Sequence, residues 1–320
     1  MRNRRLYLII VAVAVLLSGC IKSEIVSNKI SFAPVASKAT RAIITGTTYP
    51  QGESFVVSAF HTGSAPYFES LTASYSSTLD LWATSEDQYW PLSGSLTFKA
   101  YSPSSLAGVT INSSTGAITA TDYTIDTPTK LTTDFCYGTY TVDDCSNHPS
   151  SVPLQFSHAL AQVVFRVTAG GYYNDESRTV AISMTSLSLD DVYSVGDFSD
   201  GTWSNQDTEH DYTLSSTTTA LTYTGTVPDT TLICSYLLVP QTLSNNASLT
   251  VGYTIAQTVN STTFTFANDP VTIPLRGTIT QWEPGRKYIY TISIGLNDNI
   301  TFTATADDWT SVPGGGVVVE

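Results

Sequence analysis

Basic residues are scarce in this chain. Its 320 residues hold 14 Lys and Arg against 27 Asp and Glu, and the formal net charge is −13. Affinity for nucleic acid comes from cations set against phosphates, so nucleic acid is excluded as a partner. Docking on anionic headgroups through a basic face is disfavoured for the same reason. Histidine is also sparse: His61, His148, His158 and His210 are scattered, and no pair has zinc-site spacing. There is no Gly-rich phosphate loop and no Gly-x-Ser-x-Gly elbow, and Gly314–Gly316 lacks the lysine and helix of a phosphate cradle. No cofactor and no catalytic constellation is indicated. Helix formers such as Glu, Lys, Arg and Gln are few, whereas Thr, Ser, Tyr and Val dominate, which favours strands.

One apolar run stands apart. Arg2, Arg4 and Arg5 precede Leu6 to Leu17, and Leu17-Ser18-Gly19-Cys20 follows. Positive start, apolar core and small-residue end form the order of a secretory signal. The run is shorter than the roughly 20 residues of a membrane span, and no later segment is longer. The end at Cys20 resembles a bacterial lipobox, which implies lipidation of that sulfur, with palmitate among the acyl groups, and anchoring rather than spanning. Loss of residues 1–19 removes three arginines and no acid, taking the charge from −13 to −16. Such acidity keeps a surface protein soluble. Beyond the lipidated Cys20, three cysteines remain, Cys136, Cys145 and Cys234. A disulfide between Cys136 and Cys145 and a pair of free, half-buried thiols are both open readings, and an odd count leaves at least one thiol unpaired.

The mature part alternates with a period of two. Phe55, Val57 and Ala59 share a face, as do Leu96, Phe98 and Ala100; Val163, Phe165 and Val167; Leu249, Val251, Tyr253 and Ile255; Tyr288, Tyr290, Ile292 and Ile294; and Ile300, Phe302 and Ala304. These are half-buried strands. Turn clusters separate them at Ser113-Ser114-Thr115-Gly116, Ser244-Asn245-Asn246 and Asn297-Asp298-Asn299. Short strands with regular turns predict an all-β chain of sandwiches, with no helix beyond a turn near His158 to Ala161. The expected organisation is a signal over 1–19, a lipidated tether with a removable N-terminal strand over 20–41, a first β domain over 42–150 and a second over 151–320, with the boundary set in the polar, Pro-bearing, linker-like stretch from Cys145 to Pro153.

Other candidates have bland readings. Asp143-Asp144, Asp190-Asp191 and Asp307-Asp308 are neighbours, which point to opposite faces of a strand and make no acid/base pair. Asp190, Asp191, Asp197 and Asp200 offer oxygens of the type calcium takes, but their spacing matches no calcium loop. Tyr172, Tyr173, Trp203, Tyr212 and Tyr223 suit a strand core or cross-strand pairs better than a sugar platform.

Several stretches, in order, resemble one family. They are Ile30-Ser31-Phe32 with Ala39-Thr40-Arg41-Ala42; Tyr89-Trp90-Pro91 with Leu96 to Pro103; Leu154-Gln155-Phe156-Ser157-His158-Ala159-Leu160-Ala161-Gln162-Val163; Trp282-Glu283-Pro284-Gly285-Arg286-Lys287-Tyr288; and Ala306-Asp307-Asp308-Trp309. Together they resemble the fimbrillins of Bacteroidia, including the minor-fimbrillin-like group of type V pilus subunits. The resemblance implies two tandem β-sandwich domains of transthyretin-like architecture. It also implies a lipoprotein precursor carried to the outer membrane, and cleavage after an arginine by an Arg-specific protease, before polymerisation with other subunits by strand exchange. The matching positions are Arg41 and Ala42.

The residues suggest how such an exchange works. Ile30 and Phe32 alternate with Ser31 and Ala33, as an edge strand of the first sandwich would, and Val35 to Arg41 reads as an exposed loop open to proteases. After Trp309, Pro313-Gly314-Gly315-Gly316 forms a hinge and Val317-Val318-Val319 a short β-branched end. Val317, Val318 and Val319 are therefore a candidate donor strand, with completion of the second sandwich as the alternative. The function expected is a structural or adhesive fimbrial subunit at the outer membrane or in the extracellular fimbrium, with a host or bacterial surface glycan or protein as receptor. The competing reading is a monomeric, glycan-binding surface lipoprotein.

Overall fold

The computed structural model describes residues 28–36, 49–62, 65–267, 269–296 and 300–309. Cys20, Arg41, Ala42 and Val317 to Val319 lie outside these. The described chain is all-β, with two short 3-10 turns at Lys130–Thr132 and Cys145–Asn147. No helix among the described residues is long and apolar enough to cross a membrane.

The first sheet is built from β1 (Val35–Ala36), β2 (Ser54–His61), β3 (Ala65–Ser76), β4 (Leu81–Thr84), β5 (Leu96–Ser102), β8 (Cys136–Val142) and β9 (Gln155–His158), with β6 (Val109–Ile111) and β7 (Ile118–Thr124) passing elsewhere. The order is β1-β9-β8-β5-β2-β3-β4. All pairings are antiparallel except β1 with β9. Phe55, Val57 and Ala59 of β2 and Leu96, Phe98 and Ala100 of β5 are fully buried, so alternate residues of these strands build one core. Val56 and Tyr101, on the opposite face, belong to a second core.

That second core lies between two further sheets. One has four strands: Thr230–Leu238, β10 (Ala161–Ala169), Arg286–Ile294 and Ile300–Asp308, in that order. The other is organised on β11 (Arg178–Ser199), a 22-residue strand flanked by Ser248–Val259 and β7, with β12 (Thr202–Ser215) also paired to it. The β11–β12 turn is Asp200-Gly201, whose φ angles of 44° and 96° are both positive, as a two-residue hairpin of type I′ requires. Val163, Phe165, Val167, Leu249, Val251, Tyr253, Tyr290, Ile292 and Ile294 fill the space between the sheets. Among the described residues, Ile300–Asp308 is an edge strand paired only with Arg286–Ile294, and its Ile300, Phe302 and Ala304 are half-buried.

The change of core does not fall at residue 150. β6 and β7 join the sheet of β11, while Val152, Leu154 and Phe156 pack in the first core. The polar, Pro-bearing stretch that looked like a linker runs along the first sheet, because Val152 and Leu154 exchange backbone bonds with residues 31–35.

Candidate assembly site: the N-terminal segment and its groove

Residues 28–36 run between two strand edges. Towards one side, Ile30 N donates to Gln88 O at 2.8 Å and Phe32 N to Trp82 O at 2.9 Å, while Trp90 N donates to Asn28 O at 2.9 Å. Towards the other, Ala33 N donates to Val152 O and Val35 N to Leu154 O, each at 2.8 Å, and Val152 N donates to Ser31 O at 2.7 Å. Successive residues of an extended chain direct their backbone groups to opposite sides, which lets one segment bond both edges. Phe32 accordingly bridges Trp82 in antiparallel sense and Val152 in parallel sense. At the exposed end, the Lys29 ammonium pairs with the Asp87 carboxylate.

The side chains divide in the same way. Ile30 and Phe32 have no exposed surface, Pro34 is buried, and Ala33 and Val35 face outwards. The Phe32 ring meets Phe55 and Phe98 edge-on, each with centroids 5.6 Å apart. Trp82, Trp90, Val152 and Leu154 complete the lining. Burial of a side chain of this size is worth about 1.5–3 kcal/mol, and edge-to-face ring contacts add about 0.5–1.5 kcal/mol beyond area. Without residues 28–36, the groove would expose these surfaces together with two rows of unpaired backbone groups.

The other sequence candidates fall elsewhere. Asp190, Asp191, Asp197 and Asp200 do not converge. They are strung along β11 and its hairpin, where a strand advances about 3.3 Å per residue. Asp190 accepts from Ser188 and Thr250, Asp197 from Asp122 N and Asn205, and Asp200 from Ile118 N. The two bonds to Asp197, from Asn205 and then Asp122, hold its carboxyl below the ordinary 3.8. Cys136 and Cys145 do not form the disulfide left open above; both are buried free thiols, as Cys234 is a half-buried one. Cys136 Sγ is turned to Asp134 and His158 instead, while Cys145 starts a 3-10 turn held by Asp144.

Sequence spacing also missed a grouping. Asp134, Cys136 and His158 bring one donor atom each within 4.8 Å of one another. Register makes this possible: Cys136 lies opposite His158 in the β8–β9 ladder, and Asp134, two residues earlier, shares its face.

The profile of the fimbrillin-like family matches residues 40–309. The chain belongs to that family. Membership places this fimbrillin-like chain in a non-enzymatic structural class. No curated protein sequence matches it. Solved structures similar to it include two Bacteroides proteins assigned provisionally to cell adhesion. The one from Bacteroides uniformis has 18% identity and a TM-score of 0.50, with 88% of this chain and 99% of that one covered. The one from Bacteroides ovatus has 17% identity and a TM-score of 0.49, with 89% and 99% covered. The fimbrial anchor protein Mfa2 from Porphyromonas gingivalis has 11% identity and a TM-score of 0.35, with 88% and 98% covered. At such identities the first likeness speaks for the fold alone.

Proposed function

We propose that this fimbrillin-like protein is a fimbrial subunit, structural or adhesive, that assembles by exchanging residues 28–36 for a strand from another subunit. One observation carries the proposal. A segment with two fully buried anchors, Ile30 and Phe32, is bonded along both sides, yet continues into the rest of the fold only through residues 37–48, which include Arg41. Cutting the peptide after Arg41 severs the segment from the rest of the fold, so that it can leave the first core and take Ile30 and Phe32 with it. The vacated groove then has apolar sockets and backbone donors and acceptors that favour an incoming extended strand. Val317 to Val319 of a neighbour are the proposed donor, a short β-branched apolar run beyond a glycine hinge. Donor and groove differ, so the contact is head-to-tail, the type that yields open filaments.

In this scheme the precursor is exported, lipidated at Cys20 and held at the outer membrane, and an Arg-specific protease cuts between Arg41 and Ala42. The partners are other fimbrial subunits and a surface glycan or protein receptor. For the glycan-platform reading, Trp82, Trp90, Trp282 and Trp309 are buried and Trp203 is half-buried, so stacking on a sugar would fall mainly to exposed tyrosines such as Tyr67, Tyr89 and Tyr172.

The test is N-terminal sequencing of surface-assembled protein beside Arg41→Ala. The expected result is an Ala42 start and loss of polymer ladders in the variant. Assembled material with an intact lipidated start overturns the scheme. Deletion of residues 311–320 with ladders unchanged removes Val317 to Val319 as the donor.

A further inference from the structure

We infer that Asp134, Cys136 and His158 form a binding site for a borderline-soft divalent cation, Zn²⁺ by ligand chemistry. The inference does not depend on the assembly scheme. His158 Nδ1 lies 2.6 Å from Asp134 Oδ2 and 3.3 Å from Cys136 Sγ, and Cys136 Sγ lies 3.1 Å from Asp134 Oδ2. All three side chains are buried, with His158 and Asp134 at 0% and 5% side-chain exposure.

The arrangement differs from a nucleophilic triad in one decisive way. A triad needs the thiol on one imidazole nitrogen and the carboxylate on the other, so that a proton can pass through the ring. Here thiol and carboxylate both meet Nδ1. Three donors converging on one point suit chelation and not a relay.

The donor set selects the ion. Thiolate and imidazole suit zinc, whereas calcium and magnesium take oxygens. Zinc bonds of about 2.3 Å to sulfur and about 2.0–2.2 Å to nitrogen and oxygen put tetrahedral donors roughly 3.4–3.6 Å apart. Both distances from Sγ are within about 0.5 Å of that span. The nitrogen–oxygen pair must open by about 0.8 Å, which rotation of the carboxylate supplies. Asp134 Oδ1 is buried and has no hydrogen-bond partner, so a second oxygen is available. On binding, the Cys136 proton leaves to solvent and the neutral imidazole carries its N–H at Nε2, which frees the Nδ1 lone pair for the ion. Zn²⁺, thiolate, carboxylate and neutral imidazole then sum to zero charge, which a buried site favours.

There is room for a fourth ligand. Asp134 and Cys136 line a cavity of about 210 Å³ together with Glu53, Ser102, Thr132 and Thr133. Three protein ligands and a reachable cavity leave the fourth position to water. On the far side, the His158 ring stacks on Trp309, centroids 3.6 Å apart. A bound ion would thus fix β8 to β9 and, through His158, hold the ring at the end of the last described strand.

The experiment titrates the mature chain with Co²⁺ and Zn²⁺. Co²⁺ is expected to give a thiolate charge-transfer band that Cys136→Ser abolishes, with Cys145 and Cys234 still present. Loss of an outer-shell partner alone weakens a metal site by about 10–100-fold, so Cys136→Ser and Asp134→Asn should lose at least that much zinc affinity. Zinc should raise the melting temperature of the parent and not of Cys136→Ser. Should either variant fail to fold, anomalous diffraction at the zinc edge from crystals of the parent protein decides, with a peak expected between Sγ, Nδ1 and the carboxylate. Equal binding by parent and folded variants, or zinc peaks confined to surface carboxylates, overturns the site.

Discussion

Phe32 and Trp82 exchange backbone hydrogen bonds in both directions, Phe32 N to Trp82 O at 2.9 Å and Trp82 N to Phe32 O at 3.3 Å. A residue from the chain's N-terminal segment therefore completes the edge that β4 would otherwise leave open, and its ring fills the core behind that edge. Phe32→Ala removes the ring but keeps the bonds. Truncation of a buried Phe costs about 3–5 kcal/mol. Chemical denaturation of the uncleaved protein should show a loss of that order. Val35→Ala, at a position 36% exposed, should change stability by about 0.5 kcal/mol or less. Equal effects at the two positions would falsify the placement of Phe32.

Gly138 tests how closely β8 and β9 must approach. It pairs with Phe156, and a Cβ at this position would stand 2.5 Å from Gln155 O, a backbone atom that cannot swing aside. Gly138→Ala should cost about 1–3 kcal/mol through overpacking. Amide exchange in Gln155–His158 should rise with it, since the two strands must part. Unaltered exchange there would count against this close contact.

The acid limb of stability has a local contribution at Asp197. Its folded pKa lies below the ordinary 3.8 because Asn205 and Asp122 N donate to the carboxylate. A depressed folded pKa contributes stability above the unfolded value, and that contribution is lost as pH falls through the folded value. The difference in stability between the parent and Asp197→Ala should therefore hold from pH 7 to about 4 and shrink at lower pH. Urea denaturation at a series of pH values measures it. A gap that widens on acidification contradicts the assignment.

Thiol chemistry checks the free cysteines. Burial pushes Cys136 well above the ordinary value and Cys234 up to about 12, and raises Cys145. Only the thiolate reacts, so iodoacetamide at pH 8 should modify the folded protein slowly. Unfolding without reductant should expose Cys136, Cys145 and Cys234 to complete alkylation, counted by mass. Modification of Cys234 alone would mean that the other two are bonded.

Much of the fold was legible in the sequence. The alternation at 55–59, 96–100, 163–167 and 249–255 lies on core faces, because a pleated strand turns every second side chain to the same side. The alternation of Ile30 and Phe32 was legible too. Their neighbours Trp82 and Val152 were not, since these lie about 50 and 120 positions away and only sheet closure brings them alongside. The stretch around Pro149 and Pro153 looked like a linker because proline and polar residues dominate it, yet its backbone bonds residues 31–35. Composition does not report where hydrogen bonds go.

The strand-forming periodicity, the acidity and the family could be read from the residues in order, because these depend on residue type and near-neighbour spacing. Tertiary structure alone decided that residues 28–36 lie between two edges, and that Cys136 faces His158 rather than Cys145. Both are matters of register between distant strands. A shift of one residue turns every side chain to the other face, and nothing local in either strand specifies which partner it will meet.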